Sequence, residues 1–271
     1  MSASDNPGTE VFIRLATVLA GAVPFKEGNV NDTYRGQILS DDSSTHLAII
    51  KDLDQRQLAN ELMAAALAKA AGLPIPQAYL AVGAPAVVAA RKGPLQPDGS
   101  RLLFASADAR TPPVAQLYIG TAPDAVRARL ADWDGIGALY GFDAWIANID
   151  RHERNLLFSG DREVWLIDHG HCFSGPQWKP TDLDPPRDYQ NRLRDWLTPA
   201  MSDARRAAVA ATAAALEGRI SVLDPSHIGQ LNQVIGFLDS GDFSALTTFL
   251  KARCQHVPRL AAKALNIAMA V

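Results

Sequence analysis

Two short stretches of this chain decide its expected fold: residues 148–158, NIDRHERNLLF, and residues 164–170, VWLIDHG. Asp150 and Asn155 are five positions apart on either side of a tight turn, so both side chains can face one cleft. Asp168 closes a short apolar strand just before Gly170. An acidic side chain in that position must be solvated, paired or bound to a metal ion. Together the two stretches indicate a polar site rather than two unrelated turns.

The residue types and their order suit phosphoryl transfer from ATP. This chemistry needs a carboxylate that orients and deprotonates the attacking hydroxyl, and oxygen ligands for the Mg²⁺ that bridges the phosphates. Asp150 is the predicted catalytic base, and Asn155 and Asp168 are the predicted Mg²⁺ ligands. ATP and Mg²⁺ are therefore the expected cofactors.

The residue pattern of the two stretches resembles that of a known family. N-x-D-R-H-x-x-N-L-L followed by L-I-D-H-G-x-C-F resembles the HipA-like kinases and the related phosphatidylinositol 3-/4-kinase-like proteins of bacteria, within the protein-kinase-like superfamily. In ordinary protein kinases a His-Arg pair precedes the catalytic Asp. Here Arg151 and His152 follow it, as in the HipA-like and lipid-kinase-like branch.

The resemblance implies further ATP-binding parts in the N-terminal half. A lysine on the third strand should hold the phosphates, and Lys51 ends the predicted strand His46–Lys51. A glutamate on the next helix should pair with that lysine, and Glu61 lies ten residues further on. A connector whose backbone meets the adenine edge should run near residues 104–108, which places Ser106 at the site.

A phosphate-covering loop is also implied between the first two strands. The segment before Thr33 has a single glycine, so the form G-x-G-x-x-G is absent. Backbone N–H groups and polar side chains can still cradle a phosphate there. The predicted residues are Gly28, Asn29, Asn31 and Thr33.

The expected fold class is α+β, a two-lobed protein-kinase-like fold with a small β-rich N-lobe and a mostly helical C-lobe. A composition shift near Thr111-Pro112-Pro113 sets the lobes at residues 1–110 and 111–271. Residues 11–23 fit a helix or a strand equally. The predicted N-lobe strands are Thr33–Leu39, His46–Lys51, Gln77–Val82, Ala86–Ala90 and Leu102–Ser106, with one helix over Asp54–Ala71.

The expected C-lobe begins with two helices, Asp124–Gly135 and Gly137–Ile149. Two short extended segments, Leu156–Ser159 and Glu163–Asp168, should follow. Four prolines predict a loop over residues 174–188, and the rest of the chain has the apolar spacing of amphipathic helices.

Composition narrows the classes of function. Of 271 residues, 48% are hydrophobic and 20% charged, which allows a sizeable core. The net charge of -3 argues against a general nucleic-acid binder, which needs a basic surface. Two cysteines suit a reducing compartment. The polar N-terminus and the short apolar runs predict a cytoplasmic protein without stable membrane insertion.

The predicted acceptor is a Ser or Thr hydroxyl on a protein, as the HipA-like resemblance implies, with Ser174 and Thr181 of this chain as candidates. A lipid or small-molecule kinase, nucleotidyl transfer, and a nucleotide-binding pseudokinase or interaction module remain open alternatives. His152, His169 and His171 beside Cys172 also suggest zinc, although H-x-H-C is not a standard zinc spacing.

Overall fold

The N-terminal part of the chain is built on a six-stranded sheet. A computed structural model describes residues 12–25, 32–118, 122–158 and 163–267. Residues 14–18 are a strand, which settles the choice that the sequence left open. The strands are β1 (Arg14–Val18), β2 (Val23–Pro24), β3 (Thr33–Ser40), β4 (Thr45–Lys51), β5 (Ala78–Gly83) and β6 (Arg101–Ala107).

The sheet closes on itself. β1 pairs in parallel with β5 and antiparallel with β3, and the antiparallel pairs β5–β6, β6–β4 and β4–β3 complete a ring of five strands. Ala48 and Ile50 of β4 are fully buried in the interior cluster of this barrel. Because successive side chains alternate between faces, Lys51 lies on the outer face.

The predicted strand Ala86–Ala90 is wrong, because these residues form a turn and an irregular stretch instead. The N–H groups of Val87 and Val88 both donate to the Ala84 carbonyl, closing a turn around Pro85. Proline fixes its own φ and favours such a turn. Val88 is nevertheless buried in the barrel cluster, so a residue that follows a turn is buried as a strand residue would be.

The predicted helix over Asp54–Ala71 is confirmed as α1 (Gln55–Ala70), and it packs against the outside of the barrel. The Asp54 side chain caps it by accepting the N–H of Gln57, and Gly72 follows its end at φ +72°. The helix is buried over most of its length, Glu61 included. Since Lys51 also points outward from the barrel, α1 brings a buried carboxylate to a buried lysine.

The C-terminal part is mainly helical, with one short antiparallel hairpin. Gly137 and Gly141 let two of its helices approach closely, because a Cβ at Gly137 would lie 2.5 Å from Thr212. The elements are α2 (Val114–Leu117), α3 (Pro123–Ala131), α4 (Ile136–Trp145), β7 (Leu156–Phe158), β8 (Val164–Leu166), α5 (Leu193–Trp196), α6 (Asp203–Ile220), α7 (Pro225–Leu231), α8 (Ser240–Arg253) and α9 (Val257–Ala264).

Both predicted helices before the hairpin end earlier than expected, at Ala131 and Trp145. Ala147 has φ +47°, a left-handed conformation that no α-helix contains, so the chain leaves the helical direction before Asp150. Among the described residues, no helix is both long and apolar enough to cross a membrane.

Candidate active site

A cavity of about 840 Å³ lies between the outer face of the barrel, α1 and the segment from residue 150 to residue 171. Three residues of the predicted phosphate loop, Gly28, Asn29 and Asn31, lie outside the described residues. All the other predicted site residues line the cavity: Thr33, Lys51, Glu61, Ser106, Asp150, Asn155 and Asp168.

Lys51 lies between two carboxylates. Its Nζ is 2.6 Å from Oε1 of Glu61 and 3.1 Å from Oδ1 of Asp168. Its side chain is 13% exposed and that of Glu61 is 1% exposed. Burial alone would lower the pKa of Lys51, but the charges of Asp168 and Glu61 outweigh it and raise that pKa well above its usual value. Lys51 is therefore a fixed positive charge at the cavity wall.

Glu61 connects this lysine to the segment that carries Asp168. Its second oxygen, Oε2, accepts the backbone N–H of His169 at 2.9 Å. Burial would raise the pKa of Glu61, but Lys51 and His169 outweigh burial and lower it. Glu61 is thus a buried carboxylate that links β4 to the segment that carries Asp168.

Asp168 has a left-handed backbone at φ +58°. Aspartate is one of the few residues other than glycine that adopts this conformation readily. Its side chain is 48% exposed while Oδ1 contacts Lys51. The remaining carboxylate surface is open to a ligand in the cavity.

Hydrogen bonds fix the loop that carries Asp150. Asn148 is buried, and its side chain accepts the N–H of Asp150 and donates to Asp143, both at 3.1 Å. The amide nitrogen of Asn155 donates to the Asp150 carbonyl at 2.8 Å. Because that nitrogen is engaged, the amide oxygen is the end of Asn155 available to a cation.

The Asp150 carboxylate has two partners that sequence reasoning missed. His171 Nδ1 lies 3.1 Å from Oδ2, and the guanidinium of Arg192 contacts Oδ1. Burial would raise the pKa of Asp150, but the hydrogen bonds from His171 and Arg192 lower it to about 2. The sequence suggested His171 only as a possible zinc ligand. Arg192 lies 42 residues from Asp150 and has no local signal in the sequence.

A fully buried arginine supports both loops and was also missed. Arg151 forms an ion pair with Asp143, and the side chains of both are 0% exposed. Its Nη1 also donates to the carbonyls of Asn155, at 2.9 Å, and Ile167, at 2.7 Å. One side chain thereby joins the loop that contains Asp150 and Asn155 to the residue before Asp168.

A family model described as HipA-like kinase matches residues 39–184, more than half of the chain. The chain belongs to the HipA-like kinase family. The matched range contains Lys51, Glu61, Asp150, Asn155 and Asp168. No curated protein gives a significant match.

Membership of the HipA-like kinase family implies ATP and, as a rule, a divalent metal ion. Asp168 supplies a carboxylate and Asn155 an amide oxygen to the same cavity. Mg²⁺ typically takes one or two carboxylates and completes its coordination with substrate phosphates and water. The donor set fits this ion, with Asn155 and Asp168 as the residues that would hold it.

The structure assigns local roles to two histidines of this HipA-like kinase. His152 Nδ1 accepts the N–H of Arg154 at 3.1 Å, so its Nε2 faces Asp150 Oδ2 at 3.7 Å. His169 is buried edge-on against Phe142, with ring centroids 6.0 Å apart. Burial lowers the pKa of both.

The zinc hypothesis gains no support from the described ranges. They contain no group of three or more His, Cys, Asp or Glu side chains placed to hold a metal ion. The buried Cys172 instead directs its Sγ at the Asn60 carbonyl, 3.7 Å away.

The predicted adenine connector starts later than the sequence suggests. Ser106 lies inside β6, paired with Ile49 on one side and Ala78 on the other. Both its neighbouring strands hold it in the sheet, so the chain leaves β6 only at Asp108. Ser106 still lines the cavity, as does Thr33, which stands opposite Lys51 in the β3–β4 pair.

Proposed function

We propose that this HipA-like kinase transfers the terminal phosphoryl group of ATP to a Ser or Thr hydroxyl of a protein, with Mg²⁺ as the metal ion. The supporting observation is the placement of Lys51, between Glu61 and Asp168, in the same cavity as Asp150 and Asn155. In this proposal the barrel with α1 and the helical part are two lobes that divide near residue 110.

Lys51 and Glu61 act on the nucleotide side. Lys51 binds phosphate oxygens, and Glu61 keeps its ammonium group at the cavity wall through the 2.6 Å contact. The Mg²⁺ held by Asn155 and Asp168 would neutralise charge on the phosphates. Because Lys51 already contacts Asp168, the phosphate-binding and metal-binding groups are next to each other before any ligand arrives.

Asp150 acts on the acceptor side. With a pKa of about 2, its carboxylate is ionised at neutral pH and accepts a hydrogen bond from the attacking hydroxyl. Such an acid is a weak base, so its main contribution is to orient the hydroxyl. Proton transfer to a carboxylate oxygen of Asp150 then accompanies phosphoryl transfer.

The segment over residues 174–188 supports a protein acceptor. Arg253 Nη1 donates to the carbonyls of Pro185, at 2.7 Å, and Arg187, at 2.9 Å, so the segment is anchored to the helical part. It contains Asp182 and Asp184, and no cluster of Lys and Arg of the kind that a multiply phosphorylated inositol headgroup needs. Ser174 and Thr181 remain candidate acceptors on this chain.

The test offers γ-labelled ATP and Mg²⁺ with a cell lysate in one reaction and with phosphoinositide vesicles in another. Label in protein that disappears with Asp150→Asn supports the proposal, and intact-mass measurement separates phosphorylation from adenylylation. Asp195→Asn is the matched control, since Asp195 is exposed on α5 and does not line the cavity. Label in lipid alone would establish a lipid kinase instead, and label in neither would indicate a nucleotide-binding module.

A further inference from the structure

Four basic side chains of the cavity have no part in the proposed chemistry. They come from three separate segments and line the same cavity: His152, Arg154, His171 and Arg192. Arg192 is the most informative, because its guanidinium contacts the carboxylate that must receive the acceptor hydroxyl. It directly precedes α5, just beyond the proline-containing segment, and its side chain is 43% exposed.

Most carboxylates at this end of the cavity already pair with another cation. Glu153 pairs with Arg127 at 3.6 Å, and Asp168 pairs with Lys51 at 3.1 Å. Behind the site, Asp188 pairs with Lys263 at 2.9 Å. Arg154 is exposed and forms no ion pair with any described carboxylate. Among the residues that the structure describes, Asp150 is the carboxylate that pairs with both His171 and Arg192.

The contacts of Asp150 bear on how an acceptor reaches it. Arg192 contacts Oδ1 and His171 contacts Oδ2, so one of the two lone pairs of each oxygen is engaged. An incoming hydroxyl binds beside one of these partners or takes its place. Moving a guanidinium away from its carboxylate is unfavourable unless another anion takes that place. Arg192 is the partner better able to move, since it is the more exposed of the two.

We propose that the acceptor of this HipA-like kinase carries an anionic group beside its hydroxyl, and that Arg192 binds that group. Without an acceptor, Arg192 pairs with Asp150. When an acidic acceptor binds, the guanidinium moves to the acceptor's carboxylate or phosphate, which it can grip through two parallel hydrogen bonds. Both lone pairs of Asp150 Oδ1 are then available to the hydroxyl. For the protein acceptor of the proposed function, on which this inference rests, the target is a Ser or Thr next to an acidic or already phosphorylated residue.

The experiment is a positional-scanning peptide library with a fixed Ser or Thr and Mg-ATP. Each flanking position carries Asp, Glu, phosphoserine, Asn or Ala in turn, and phosphate incorporation is measured as kcat/KM. We expect about a tenfold preference for an anionic residue at one or more positions, the size expected from one charge-assisted contact. Arg192→Gln should reduce that preference to about twofold.

Arg194→Gln is the matched control. Arg194 lies on the same short helix and pairs with Asp188 at 3.5 Å, and it does not line the cavity. It should keep the preference of the wild type. A role for Arg192 in stability alone would lower kcat/KM for acidic and neutral peptides equally, and thermal unfolding of both variants reports on the fold.

Three outcomes separate this inference from the function on which it rests. Loss of the acidic preference in Arg192→Gln supports it. Peptide phosphorylation without an acidic preference, or with one that survives Arg192→Gln, overturns the inference and leaves the proposed kinase activity standing. Phosphate in no peptide, although Mg-ATP still raises the unfolding temperature, overturns the proposed function and the inference with it.

Discussion

Two ion clusters face the same cavity and differ in how deeply their cation is buried. In the cluster of Lys51, Glu61 and Asp168, the side chains of Lys51 and Glu61 are 13% and 1% exposed, whereas that of Asp168 is 48% exposed. The cluster of Asp150 and Arg192 is open, with side chains 24% and 43% exposed. The buried pair of Lys51 and Glu61 is therefore the fixed part of the site. If Arg192 binds an acidic acceptor as proposed, the more exposed pair of Asp150 and Arg192 is the exchangeable part.

The energies follow the same division. Removing one partner of a buried ion pair leaves an uncompensated charge and typically costs about 3–5 kcal/mol. An exposed pair contributes about 1 kcal/mol or less. Substitutions in the Lys51 cluster should therefore affect folding and nucleotide binding, and substitutions around Asp150 should affect turnover and specificity.

The largest expected effect is on turnover in Asp150→Asn. Loss of a group that orients and deprotonates the hydroxyl should lower kcat by about 10³-fold. Nucleotide binding should change little, because Asp150 acts on the acceptor. Steady-state kinetics and the Mg-ATP-induced rise in unfolding temperature measure the two effects separately. Normal turnover in this variant would remove Asp150 from the catalytic role.

The next largest effect is on stability in Glu61→Gln. The substitution leaves Lys51 buried with only Asp168, so we expect a loss of about 3 kcal/mol in the free energy of unfolding. Urea unfolding measures it. Glu163→Gln is the control, because Glu163 is exposed and should change stability by less than about 0.5 kcal/mol. Equal losses of unfolding free energy in Glu61→Gln and Glu163→Gln would show that the contacts of Glu61 do not stabilise the fold.

Asp168→Asn should separate metal binding from folding. The lysine keeps Glu61 as its partner, so the fold should persist. A ligand that binds only the native state adds about 2.7 kcal/mol at a hundredfold excess over its dissociation constant. Most of that gain from Mg-ATP should disappear in the variant. A thermal shift as large as that of the wild type would exclude Asp168 as the principal metal ligand.

The smallest effect concerns the pH dependence of the open cluster. The hydrogen bond to Asp150 raises the pKa of His171 above its usual value of 6.5. The pair therefore stabilises the fold fully below that usual value, and the contribution is lost as pH rises through the raised pKa. Because the cluster is partly exposed, the contribution should be about 0.5 kcal/mol or less. The difference in unfolding free energy between wild type and His171→Gln should shrink as pH rises from below 6.5 through the raised pKa of His171. A difference that grows with pH would contradict the prediction that protonated His171 is the stabilising form.

Local spacing and the resemblance to HipA-like kinases account for what the sequence could predict. Asp150, Asn155 and Asp168 lie within one short stretch, and the resemblance implied Lys51 and Glu61, ten residues apart on adjacent elements. The pairing of Arg192 with Asp150 depends on the path of the chain between them, 42 residues long, and no local sequence pattern predicts that path. Closure of the barrel likewise depends on the parallel pairing of β1 with β5, over 60 residues apart. Residues 86–90 were mistaken for a strand because an irregular segment and a strand can each bury an apolar residue such as Val88.

The shared hydrogen bonds of Arg151 bear on inhibitor design. A compound that acts by swinging Asp168 out of the cavity would pull on Ile167, whose carbonyl is bound by the same guanidinium that holds Asn155 and Asp143. Breaking that contact would leave an arginine hydrogen inside the protein without an acceptor, a penalty that the compound's own affinity must offset. Inhibitors of this protein are therefore best sought among compounds that leave Asp168 in place and occupy the part of the cavity next to Lys51.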